Sequence, residues 1–125
     1  LSGAANAEGR AWHEQNQLPV FAYSSLGRGL FSGRVTRENY RDVADGACQA
    51  AYCHEVNFQR LDRARQMAEE RGVTVAQIAL AYVLGSPVNA CALVGAANRA
   101  ECEALVEAQT LNLPPQDCAW LESGD

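Results

Sequence analysis

Apolar residues along this chain follow two different patterns. Pro19-Val-Phe-Ala-Tyr23 and the stretch from Val88 to Val94 are short apolar runs without polar alternation. Such runs suit parallel strands buried on both faces. Elsewhere the apolar positions recur at helical spacing. Asn57 is placed to cap a helix running to Arg71, with Leu61, Ala64, Met67 and Ala68 on one face and Gly72 closing it. Thr74 is placed to cap a second helix through Leu84, whose buried side is marked by Ile78, Ala79, Tyr82 and Val83; Gly85-Ser-Pro87 stops it. Asn98 precedes a helix from Arg99 to Gln109, and Pro114-Pro115 breaks the chain before a short helix from Gln116 to Glu122. At the front, Ala4 to Gln17 reads as a polar surface helix weakened by Gly9.

Two stretches lack either pattern. Ser24-Ser-Leu-Gly-Arg-Gly-Leu-Phe-Ser-Gly33 is rich in Gly and Ser and reads as loop. Arg34 to Val56 is polar and mixed with no period, a long loop of the kind that is usually functional. Buried strands separated by helices indicate an α/β fold with a parallel sheet. Two strands cannot close a barrel, so a partial domain over residues 1–125 is expected, and Leu1 in place of Met fits an excised or processed piece.

Composition narrows the partners. The chain has 125 residues, is 48% hydrophobic and 20% charged, and can therefore build a core. Its net charge of −5 disfavours nucleic acid or an anionic membrane as main partner. The longest apolar stretch, Val75 to Leu84, is too short to span a bilayer, and no signal peptide is recognisable, so a soluble cytoplasmic protein is expected. All ten basic residues are Arg, which excludes any mechanism needing a lysine of this chain. The five cysteines are an odd number, so a disulfide framework is not expected. Cys48, Cys53 and His54 lack the spacing of a zinc site, and no metal is expected.

Phe21-Ala-Tyr-Ser-Ser-Leu-Gly-Arg-Gly-Leu-Phe-Ser-Gly33 closely resembles the strand-seven motif of aldo/keto reductases. Glu69-Glu-Arg-Gly-Val-Thr-Val-Ala-Gln-Ile-Ala-Leu-Ala-Tyr-Val-Leu84 and Ala92-Leu-Val-Gly-Ala-Ala-Asn98 resemble later motifs of that family, in its order and spacing. The resemblance implies the C-terminal part of a (β/α)₈ TIM barrel, in which the loops after strands seven and eight hold phosphate. It implies NADP or NAD as cofactor and a small carbonyl or sugar-like substrate, with an N-terminal half-barrel or self-association completing the fold. Tyr23 would stack on the nicotinamide. Ser24, Ser25, Leu26, Gly27 and Arg28 match the segment that wraps the pyrophosphate, and hydroxyls, glycine backbone and a guanidinium are suitable anion ligands. Gly95, Ala96 and Asn98 match the turn that brings a helix N-terminus to the adenosine phosphate.

This chain departs from the family's pattern in two ways. Where the family often has Arg or Gln and then a Glu-Asn pair on the adenine, this chain has Glu101, Ala104 and Leu105. An acidic Glu101 would repel a 2′-phosphate, with Arg99 close by to compensate. The family's tyrosine acid and its Lys, Asp and His partners lie on earlier strands, and neither His13 nor His54 matches the catalytic histidine, so no catalytic residue is expected here. A non-catalytic regulatory or binding relative on the same scaffold is the alternative. The segment around Met67 to Ala81 also imitates a helix-turn-helix. Its second helix has no charge and only Gln77 to read a base, which opposes DNA binding.

Overall fold

A computed structural model describes residues 7–125. In chain order the elements are α1 (Ala7–Asn16), β1 (Val20–Ala22), a 3₁₀ segment (Gly27–Ser32), α2 (Tyr40–Val43), α3 (Gly46–Tyr52), α4 (Glu55–Arg71), α5 (Val75–Leu84), β2 (Ala90–Ala92), α6 (Arg99–Glu107), a 3₁₀ turn (Ala108–Thr110) and α7 (Pro115–Ser123). The two strands pair in parallel, Val20 with Ala90, Phe21 with Cys91 and Ala22 with Ala92. Their carboxyl ends therefore lie side by side, and the loops leaving them start from one edge of the sheet. The expected parallel α/β arrangement is present in part, as two strands with their helices.

Helix α5 begins where Thr74 and Gln77 cap one another: the Gln77 amide donates to the Thr74 hydroxyl at 3.2 Å, and the Thr74 amide donates to the Gln77 side chain at 2.9 Å. Burial then takes in every residue from Gln77 to Ala81. Ile78 and Ala79 are buried as expected, while Tyr82 and Val83 are only partly so. On one side Ile78 and Ala81 pack with Ala64, Met67 and Ala68 of α4, joined by Leu113 and Leu121. On another, Leu80 packs with Leu105 and Ala108, with Ala92 of β2 against them. Gln77, the one side chain of this helix that could read a base, is buried and donates to the Ala104 carbonyl at 3.1 Å. The helix pair is thus a wall of the core, with Gln77 turned inward.

Helix α4 ends as expected at Gly72, whose φ of 67° is the left-handed conformation that glycine adopts without steric cost. Its start differs. The helix begins at Glu55, with His54 at the N-cap, and Asn57 lies inside it. The Asn57 side chain instead donates to the Tyr52 carbonyl at 2.9 Å and accepts from Arg60 at 3.0 Å, so its capping chemistry is spent on the end of α3. Asn98 does cap α6, accepting from the Glu101 amide at 2.9 Å. Of the expected first helix, the portion within Ala7–Asn16 is present, and Ala4 to Asn6 lie outside the described residues.

Two expectations need correction. The segment from Arg34 to Val56 is not a loop throughout, because it contains α2 and α3. Asp45 caps α3 by accepting from the Cys48 amide at 2.6 Å, and Leu30, Cys48, Val35, Phe58 and Leu61 form a core cluster beneath it. Short helices of this kind are held by tertiary burial, and seven residues are too few to show a period. Nor are the strands buried on both faces. Phe21 is 67% exposed and Tyr23 75%, and Cys91 and Leu93 on the same side are exposed too. Among the described residues, only the face toward α5 is covered. No helix among the described residues is long and apolar enough to cross a membrane.

The C-terminal helix is tied back by charge as well as by Leu121. Arg63 donates to the Leu121 and Glu122 carbonyls at 3.1 and 2.9 Å, the favourable placement of a cation at a helix C-terminus. Tyr82 donates to the Glu122 carboxylate, and burial together with that carboxylate holds the phenol well above its ordinary pKa. Because Ile78 is fully buried at the centre of this packing, Ile78→Ala is expected to destabilise the fold by about 2–5 kcal/mol. The midpoint of urea unfolding measures it, and a loss below about 1 kcal/mol would show that the site collapses around the smaller side chain.

Candidate functional site

The chain leaves β1 through an unusual piece of backbone. Ser24 and Arg28 both have positive φ, 55° and 52°, in the left-handed region that non-glycine residues seldom occupy. Gly27 between them has φ of 57°, and a Cβ there would sit 3.3 Å from the Phe31 ring. Three left-handed residues in five turn the chain tightly, and strain of this kind persists only where the surroundings enforce it. The enforcing contacts are visible. Ser25 donates to the Ala22 carbonyl at 2.9 Å, the Gly27 amide to the Ser24 carbonyl at 2.8 Å, and the Gly29 and Phe31 amides to the Leu26 carbonyl, each at 3.1 Å. Leu30 is fully buried, and the Cys48 thiol lies 3.5 Å from the Gly27 carbonyl.

This turn forms one wall of a groove of about 450 Å³ at the carboxyl edge of the sheet. From the β1 side come Ser24, Ser25, Leu26 and Arg28; from the β2 side come Gly95 and, on α6, Glu101. The strand order thus brings together six of the ten residues expected from sequence. The other four sit elsewhere. Gly27 is buried within the turn itself, and Tyr23 is exposed on the open side of the sheet. Asn98 is engaged as the cap of α6. Ala96 lines a separate apolar groove of about 340 Å³ with Leu80, Leu84, Val94 and Leu105.

The groove also contains residues that sequence reading did not single out for a site. Ser32 and Arg34 extend the glycine-rich turn, and Thr74 and Ala76 bring in the first turn of α5. Arg34 is exposed, and among the described residues no acidic side chain pairs with it. Its signal in the sequence was its place directly after Gly33, at the end of the Gly/Ser run. Two helices, α5 and α6, begin beside the groove, and the amino ends of helices carry partial positive charge.

Charge at the groove is arranged by hydrogen bonds. Arg28 pairs with Asp45 at 3.2 Å, both side chains being largely solvent-exposed. Asp45 is held below the ordinary carboxylate range first by the Cys48 amide and then by Arg28. Glu101 does not project freely into the groove. Its carboxylate accepts from the Ala97 amide at 2.8 Å, closing the turn into α6 from the opposite side to Asn98. No group of three or more metal-ligating side chains occurs among the described residues.

The sequence model of the Aldo/keto reductase family matches residues 5–124 of this chain. No solved structure matches it.

The Asp45 cap yields a test by titration. Its folded-state pKa is depressed, so the stabilisation it gives is present above the unfolded value and is lost as pH falls through the folded one. Followed by NMR through the Cys48 amide shift, the Asp45 titration is expected below the ordinary aspartate range, moving upward in Arg28→Ala. An ordinary midpoint in both proteins would remove the cap and ion pair from the account of this turn.

Proposed function

Since the chain belongs to the aldo/keto reductase family, we propose that its groove holds a nicotinamide dinucleotide, NADP or NAD, within an oxidoreductase barrel that these residues complete in part. The observation that carries this reading is the convergence of Ser24, Ser25, Leu26 and Arg28 with Gly95 and Glu101 on one groove at the carboxyl ends of two adjacent parallel strands. Ligands of parallel α/β folds bind at that edge.

Each wall has a part in binding. The turn after β1 would hold the pyrophosphate, because the Ser24 hydroxyl and the Arg28 and Arg34 guanidinium groups there can offer charge-assisted hydrogen bonds. The first turns of α5 and α6 add their dipoles. Asn98 acts indirectly, by fixing where α6 begins, and Gly27 does so by permitting the left-handed turn. Ala96, turned toward the separate apolar groove, contributes backbone only. Tyr23 stands just beyond the end of β1 on the open face, where an aromatic ring can stack on the nicotinamide.

Glu101 bears on the choice between NAD and NADP. Its carboxylate is committed to the Ala97 amide, so its charge is partly neutralised by the backbone, and Arg34 faces the same groove without a carboxylate partner. This balance permits a 2′-phosphate at the groove despite the acidic residue.

The bound dinucleotide supplies a hydride to a small carbonyl or sugar-like substrate, or takes one from the alcohol. A proton donor must then stand at the carbonyl oxygen. This chain has no lysine, and His13 and His54 lie on α1 and before α4, away from the groove. The proton chemistry therefore comes from other strands of the barrel, which cover the open face carrying Phe21, Tyr23, Cys91 and Leu93.

Calorimetry on the protein with its barrel complete tests the reading. Arg28→Ala and Arg34→Ala should each weaken dinucleotide binding by about 1–3 kcal/mol, the cost of losing a hydrogen bond to a charged group. Tyr23→Ala should lower the rate of hydride transfer more than it lowers affinity. Unchanged binding in both arginine variants would show that the groove is not the phosphate site. Residues 1–125 alone should not oxidise NADPH or NADH with aldehydes or ketones; turnover above the protein-free rate would place the proton donor within them.

A further inference from the structure

Beneath the groove lies a pair of thiols with no part in the function proposed above. The Cys48 and Cys53 sulfurs are 4.0 Å apart. Cys48 is fully buried within α3, under the Gly27 carbonyl to which its thiol donates at 3.5 Å. Cys53 ends that helix with non-helical backbone (φ −81°, ψ 65°) and is only partly buried, so a small reagent reaches it first. Its amide donates to the Cys48 carbonyl at 3.3 Å, which keeps the two residues together.

We propose that Cys48 and Cys53 form a reversible disulfide that loosens the Gly27–Arg28 turn. A disulfide bond is about 2.05 Å long, so the sulfurs must approach by roughly 2 Å. That movement draws Cys48 away from the Gly27 carbonyl, and the bond consumes the S–H that donated to it. The same short helix carries Asp45 at its amino end, where the Cys48 amide and Arg28 both meet the Asp45 carboxylate. Oxidation thus acts on two polar contacts between α3 and the turn: the one to Gly27 directly, the one to Arg28 through Asp45.

The oxidant is a low-molecular-weight disulfide such as oxidised glutathione. The Cys53 thiolate attacks it, releasing one glutathione thiolate and leaving a mixed disulfide. Cys48, giving up its proton to solvent, then attacks the Cys53 sulfur and releases the second. Two protein thiols are oxidised and one glutathione disulfide is reduced to two thiols. Burial, and next to it the neighbouring Cys48, push the Cys53 thiol up to about 11. Thiolate is therefore scarce at neutral pH, and the cross-link forms slowly there. The effect on dinucleotide binding rests on the groove being the cofactor site; the disulfide and the loosened turn do not.

The protein is incubated with oxidised glutathione between about pH 7 and pH 9, alkylated and digested with trypsin. Both cysteines fall in peptide 42–60, so the cross-link appears as that peptide unalkylated and two hydrogens lighter. Its rate should rise about tenfold per pH unit, following the thiolate fraction. Oxidation should speed amide exchange at Gly29 and Phe31 and weaken dinucleotide binding about tenfold, within the usual range of coupling between sites. Dithiothreitol should reverse all three changes, and Cys53→Ala should show none. Alkylation of both cysteines after oxidation, or glutathione retained on Cys53, overturns the proposal. A cross-link without faster exchange at Gly29 and Phe31, or without weaker binding in a protein that binds dinucleotide when reduced, overturns it too. If the reduced protein binds no dinucleotide, the cofactor reading fails, while a cross-link with faster exchange still supports the switch.

Discussion

Helix α5 has no solvent side over its middle, and the rest of the chain is arranged to cover it. A helix that is apolar all round must be enclosed, because each exposed Leu or Ile would forfeit about 1.5–3 kcal/mol of burial. Here α4 and α7 enclose it on one flank, and β2, α6 and the 3₁₀ segment of the β1 loop on the others. The buried Gln77 turns this packing into a register. Its side chain caps the start of α5 and also reaches the Ala104 carbonyl, so the start of α5 is tied to the body of α6. Both helices begin beside the groove, and their relative position sets its width.

The turn after β1 depends on that enclosure at one remove. Left-handed Ser24 and Arg28 cost backbone energy, and such strain persists only where the surroundings enforce it. Leu30 is the anchor: it is fully buried among Val35, Cys48, Phe58 and Leu61, so the turn is pulled down onto α3 and α4. The polar stretch between Gly33 and α4 therefore serves the site by supporting the turn from below. Asp45 belongs to the same support, since it caps α3 and holds Arg28.

The open face of the sheet follows from the same economy. Among the described residues, two strands and one helical layer cover a single side, and Phe21, Tyr23, Cys91 and Leu93 remain uncovered. Parallel strands are stable when both faces are covered. In a barrel such a face would line the lumen, which fits the apolar residues at these positions.

The sequence by itself determined the element types wherever a signal was local. Gly72 and Thr74 stop and start helices because left-handed φ and side-chain capping are properties of single residues and their near neighbours, and the apolar runs around Phe21 and Cys91 specify strands for the same reason. The resemblance of residues 21–33 to a known motif located most of one groove wall. Tertiary structure alone decided the rest. Whether Asn57 or His54 begins α4 depended on α3 being present to take the Asn57 side chain. That α3 exists at all depended on burying Cys48 beneath Gly27, twenty-one residues away along the chain. Arg34 and Thr74 joined the groove, and Ala96 and Asn98 turned from it, because a groove is formed by surfaces that meet in space. Local chemistry chooses the conformation of each segment, but only packing decides which side chains end up facing one another.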